Sequence, residues 1–128
     1  MDIDNNHAEE SSEWVTPEKL AELMAGVEFM TATSRNHQKP KGVVSARPRF
    51  HVYFPITEVT DADTYAGLKR RLASRFGFFD ANALDTGRFI YGTPNPHTTV
   101  HNATSCWIPG WMRPMRSTCS PRSTPPPR

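Results

Sequence analysis

The sequence predicts an α+β domain with a small, mostly antiparallel sheet and two main helices, and three features predict it. Residues 49 to 55, Arg-Phe-His-Val-Tyr-Phe-Pro, alternate along an aromatic and β-branched run, as a strand with one buried face does. Residues 61 to 76 set Tyr65, Leu68, Leu72 and Phe76 at helical spacing along one side. The elements follow one another as strand, helix, strand, strand, helix, strand, an order that suits a mixed domain around a single small sheet.

Each element has its own local reason. Asp2-Ile3-Asp4 alternates acidic and apolar residues and suits the end of a strand. Thr16 followed by Pro17 reads as an N-cap and first helical position, and Leu20, Leu23 and Met24 form a short apolar stripe that Gly26 ends. Val27 to Thr33 alternates as a half-buried strand; residues 34 to 48 then turn polar and basic, with Gly and Pro punctuation, as a loop does. In the strand at 49 to 55, period two puts Arg49, His51 and Tyr53 on one face and Phe50, Val52 and Phe54 on the core face. Asp61 and Asp63 lie at the positive end of the second helix, whose remaining surface carries Lys69, Arg70, Arg71 and Arg75. Phe78 and Phe79 lead into Asp80, and Arg88 to Tyr91 reads as a further short strand ended by Gly92 and Pro94.

A chain of 128 residues has room for one domain with a core of its own. Twelve prolines and a mean hydropathy of −0.59 point to an unpacked part. That part is the end: residues 101 to 128 hold six prolines, seven Ser or Thr and four Arg, with no Lys, Asp or Glu. Such a composition cannot offset chain entropy by packing, so residues 96 to 128 are expected to form a disordered tail behind a core at 1 to 95. Cys106 and Cys119 lie in that tail without the partners that a zinc site or a disulfide framework needs. Neither a membrane-length apolar run nor a signal peptide is present, so a cytoplasmic location is expected.

Charge is sorted along the chain. Asp2, Asp4, Glu9, Glu10 and Glu13 open it without a base, whereas Arg35, Lys39, Lys41, Arg47 and Arg49 follow one another without an acid. A cation facing a polyphosphate asks for that pairing, although solvated loops have the same composition. Two aspartates one residue apart on a strand point the same way, so Asp2 and Asp4 suit one divalent ion through hard oxygen ligands; acidic termini also carry such pairs. His51 reads equally as a satisfied, half-exposed histidine or as a phosphate-facing group beside the basic run. Asp80 is a third carboxylate at an element boundary, with Asp85 as its competitor, and either suits a helix cap.

The order of these pieces carries a resemblance. Asp2-Ile-Asp-Asn-Asn-His7, Trp14-Val-Thr-Pro-Glu18, Ser34-Arg-Asn-His37, Arg47-Pro-Arg-Phe-His-Val-Tyr-Phe-Pro55 and the run from Phe79 to Gly92 together resemble the catalytic region of phage and plasmid primases of the archaeo-eukaryotic superfamily. The resemblance implies a partial primase-polymerase core, related to the RRM-like fold, that joins nucleotides on a DNA template by two-metal catalysis with Mg2+ or Mn2+. It implies Asp2, Asp4, His51 and Asp80 as the catalytic set, with Asp2, Asp4 and Asp80 (alternatively Asp85) as metal ligands. Arg47, Arg49, His51 and Arg88 would contact the nucleotide, and Arg35, Lys39 and Lys41 the nucleic acid. The partners it implies are a DNA template, nucleoside triphosphates and a replicative helicase, with no membrane.

The chain also departs from that family. The usual Ser-x-His motif stands here as Arg49-Phe50-His51, and the acidic pair sits at the first residues where the family carries further strands. The abrupt change near residue 100 reads as a shifted frame in a GC-rich gene. The expectation is therefore a shortened domain with an aberrant tail, inactive if the missing strands are essential. Two alternatives stand beside it: a non-catalytic nucleic-acid-binding remnant of a mobile-element replication protein, and a degraded frame without a functional product.

Overall fold

The computed structural model describes residues 1–102. Alternation at residues 50 to 53 acts as it should: Phe50 and Val52 are each 1% exposed, while His51 and Tyr53 are half-buried on the opposite face. This strand is the third of four, β1 Asp2–Ile3, β2 Phe29–Thr33, β3 Phe50–Tyr53 and β4 Thr98–His101, which form one antiparallel sheet in the order β1-β3-β2-β4. Among the described residues two α-helices complete the α+β fold, α1 Pro17–Leu23 and α2 Ala62–Arg75.

Both helices supply the same core. Leu20 and Met24 from the α1 end and Leu72 from α2 cluster with Ile3, Phe29, Phe50 and Val52 of the sheet and with Phe79. Phe54 packs at the margin, edge-on to Phe29 and Phe79. Burying an aliphatic or aromatic side chain of this size is worth roughly 1.5–3 kcal/mol, so this cluster supplies the main force holding the helices to one side of the sheet. The opposite face carries Asp2, His51 and Ala32 in one cross-strand row and Tyr53, Met30 and Val100 in the next. Among the described residues no helix packs on it, and Met30 and Val100 are exposed there.

The helix caps follow the expected chemistry. The Thr16 hydroxyl accepts from the Lys19 amide with Pro17 at the first position, and the Asp61 carboxylate accepts from the Thr64 amide. Thr16→Ala is expected to lower stability by about 1 kcal/mol, read as a lower urea midpoint; an unchanged midpoint would remove the cap from this account.

Three expectations need correction. Residues 88 to 91 are not a strand: Phe89 and Tyr91 are exposed, and the place beside β2 is filled by Thr98–His101. The sheet therefore extends through His101, into the tail expected over residues 96 to 128, and the rest of that tail, from residue 103, lies outside the described residues. Leu23, expected in the α1 stripe, is 48% exposed, because that helix of seven residues buries only Leu20 before Met24 caps it. The first strand lies at one end of the sheet order, with part of its outer side engaged. The Asp80 amide donates to the Asp2 carbonyl at 2.9 Å and occupies part of the outer side of β1.

Candidate active site

The register of β1 on β3 sets the centre of the site. Asp2 and His51 are direct cross-strand partners on the uncovered face, where paired side chains come within reach of one another. His51 Nδ1 and Asp2 Oδ1 lie 2.7 Å apart. Burial opposes ionisation of Asp2, but the hydrogen bond and charge of His51, the N-terminal ammonium and Arg88 hold its carboxyl below the usual range. Asp4 behaves oppositely. Burial pushes it up, Lys41 at 4.0 Å counters, and the charges of Asp80 and Asp2 add to the rise.

Asp2, Asp4 and His51 border one cleft of about 510 Å³, to which Asp85 adds a further carboxylate. Arg35, Lys41 and Arg88 line the same cleft, as do Phe89 and Tyr91. Arg88 donates to the Asn82 carbonyl at 2.6 Å, and Arg35 lies over the Tyr91 ring, 5.8 Å from its centroid. A smaller cavity of about 190 Å³ adjoins through Asp4 and is lined by Asp80, Asn5, Asn6 and His7. Asp80 is thus brought alongside Asp2 and Asp4, but its Oδ1 accepts from the Asn82 amide at 2.9 Å and from the Asn82 side chain at 3.1 Å, capping its own turn.

Arg47 and Arg49 do not line the cleft. They are 2% and 1% exposed. The Arg47 guanidinium donates to the carbonyls of Asn5 and Ala8, at 2.7 and 3.1 Å, and lies over the Trp14 ring. Arg49 donates to the carbonyls of Asn36 and Lys39, at 3.0 and 2.6 Å. Most of their hydrogen bonds go to main-chain acceptors, Arg47 also donates to the Ser45 hydroxyl, and the two Nε atoms are buried without a hydrogen-bond partner among the described residues. With both side chains enclosed, the expectation that they contact a nucleotide has no support in their surroundings. Their effect on the site is indirect: Arg49 fixes the loop that carries Arg35 and Lys41. Lys39 is exposed and lies off the cleft, as do Arg70, Arg71 and Arg75 of α2.

One supporting residue escaped sequence reasoning. Asn5 is fully buried with φ of 53°, a left-handed conformation that Asn tolerates better than most residues. Its Nδ2 donates to the carbonyls of Val15 and Pro48, at 2.9 and 2.8 Å, and its Oδ1 accepts from the Val15 amide at 2.7 Å. It holds the chain just after the acidic pair against two other segments. The only sequence signal was an Asn directly after Asp4, too common to be singled out.

The donor chemistry at Asp2 and Asp4 suits a hard divalent cation. Asp4 is a half-buried carboxylate loaded by neighbouring like charges, and a cation relieves that load. Among the described residues no three His, Cys, Asp or Glu side chains are spaced as ligands of one ion. Mg2+ commonly takes one or two carboxylates and completes its shell with water and substrate phosphates, so the pair fits that demand without a protein cage. No helix among the described residues is long and apolar enough to cross a membrane. Comparison with protein-family models, with curated proteins and with solved structures finds no match to the chain.

Proposed function

We propose that the chain carries the catalytic core of a primase-polymerase-type nucleotidyltransferase, which joins nucleotides on a DNA template with a nucleoside triphosphate seated in the 510 Å³ cleft. The observation that carries this reading is the meeting of Asp2, Asp4 and His51 in one cleft with Arg35, Lys41 and Arg88, Lys41 lying 4.0 Å from Asp4. Three acids, Asp2, Asp4 and Asp85, balance those three bases in formal charge. A divalent cation tips the balance to positive, which suits a polyphosphate.

Asp2 and Asp4 would hold that cation, Mg2+ or Mn2+, which when bound activates the attacking hydroxyl and stabilises charge on the departing pyrophosphate. The chain's own groups do the rest. Arg35, Lys41 and Arg88 draw in and orient the triphosphate. Asp2 accepts from His51 Nδ1–H and so fixes the ring, and in the imidazolium form the Nε2–H donates to a phosphate oxygen. Asp80 positions β1 through its amide and adds negative charge beside Asp4. A cytoplasmic setting and a replicative helicase as working partner belong to the same reading.

Strand synthesis on a single-stranded DNA template, with nucleoside triphosphates and Mg2+ or Mn2+, tests it. Incorporation by the parent chain and none by Asp4→Asn is the expected result. Salt-sensitive retention of DNA without any incorporation would favour the non-catalytic nucleic-acid-binding alternative instead.

A further inference from the structure

Phe89 and Tyr91 are 84% and 72% exposed, and both line the cleft that Asp2, Asp4 and His51 border. They stand two residues apart in a stretch that is neither helix nor strand, between Gly87 and Gly92. Two exposed rings on the wall of an otherwise charged cleft form a surface suited to a flat apolar partner. The surroundings narrow the partner. Arg88 directly precedes the first ring, Arg35 sits over the second at 5.8 Å from its centroid, and Lys41 lines the same cleft. A molecule that needs both a planar π face and several cations is a nucleotide: its heterocycle stacks on aromatic rings while its phosphates take the charges. A volume of about 510 Å³ lies within the span of ordinary small-molecule sites. A lipid would meet three carboxylates in the same cleft, and burying them against acyl chains is unfavourable.

We propose that Phe89 and Tyr91 form the base-binding wall of the cleft, stacking on the heterocycle of the bound nucleoside triphosphate. This inference rests on the reading of the cleft as a nucleotide site and adds to it the residues that sense the base. Arg35 braces Tyr91 from one side and leaves the rest of the exposed ring to the ligand. Stacking is tolerant of base identity because every base has a π face, so this wall raises affinity for all four nucleotides instead of choosing among them. Choice among bases is left to pairing with a template.

The test compares equilibrium binding of ATP with that of inorganic triphosphate, both with Mg2+, in the parent chain and in the doubly substituted Phe89→Leu, Tyr91→Leu chain. Leucine keeps apolar bulk and removes the π faces, and exposed positions of this kind leave the fold intact, which circular dichroism checks. The parent is expected to bind ATP roughly ten-fold or more tightly than triphosphate, and the double variant to bind the two alike. Equal binding of ATP and triphosphate by the parent would overturn the base wall while leaving the polyphosphate site standing. An ATP preference that survives the double substitution overturns it as well. Binding of neither ligand by the parent would remove the nucleotide reading itself, and this inference with it.

Discussion

Asparagine in place of Asp4 is expected to leave the domain at least as stable as the parent at neutral pH while lowering strand synthesis on the order of a hundred-fold or more. The two effects have one cause. Burial, with the charges of Asp80 and Asp2, raises the folded-state pKa of Asp4 above its ordinary value. The folded chain therefore holds that proton more tightly than the unfolded chain does. Stability contributed by Asp4 falls as pH rises from the unfolded pKa through the folded one, and the ionised carboxylate is a burden above that window. An uncharged isostere removes the burden together with a hard anionic ligand. Asp2 gives the opposite slope, because its folded pKa is depressed: its contribution is present above the unfolded pKa and is lost as pH falls through the folded one. Urea unfolding of Asp4→Asn at pH 7 beside a synthesis assay checks both halves. A variant markedly less stable than the parent would show that the Asp4 charge supports the fold, contrary to this account.

Asn5→Ala is expected to lower stability by about 3 kcal/mol, the largest effect of any single polar substitution near the site. The side chain makes three hydrogen bonds at zero exposure, and truncation leaves two carbonyls and one amide of other segments without those partners. The left-handed backbone at φ 53° adds to the loss, since Ala accepts that region less readily than Asn. Asn5→Asp keeps the acceptor for the Val15 amide but turns a charge toward the Val15 and Pro48 carbonyls, so it is not expected to restore stability. Denaturant melts read both variants. A loss below about 1 kcal/mol for the alanine variant would mean that water or a rearranged neighbour satisfies these groups.

The sequence was most legible where a local pattern and the tertiary structure agree. The alternation of Phe50 to Tyr53 and the Thr16-Pro17 cap each state their structure within a few residues and form as their spacing requires. The helix at α2 forms as well, although of the expected face only Leu72 is buried, with Phe76 at the margin, and Ala66 is buried too. The Asp2 and His51 contact was legible only in outline. The strand faces could be read from period two, but the pairing of residue 2 with residue 51 depends on sheet register, which no short motif encodes.

What was missed had weak or contrary local signals. Thr98-Thr99-Val100-His101 is β-branched and follows Pro94 and Pro96, so it carries strand propensity, yet it lies where composition drifts toward a proline-rich tail. Phe89-Ile90-Tyr91 has the same propensity but no neighbouring strand to pair with, because β4 already occupies that edge of β2. Arg47 and Arg49 look like phosphate ligands by charge alone. Their burial against carbonyls of Asn5, Ala8, Asn36 and Lys39 depends on loops that close over them, a property of the folded chain and not of their own neighbourhood.

The claim on which the rest depends is that Asp4 and a divalent cation act together in holding a nucleoside triphosphate. Its most direct measurement is ATP affinity with and without Mg2+, in the parent chain and in Asp4→Asn, taken as a thermodynamic cycle. In the parent, withdrawing the cation is expected to weaken ATP binding roughly ten-fold or more, and in the variant most of that response disappears. An equal response to the cation in both proteins would contradict the account, since the ion would then be acting without Asp4.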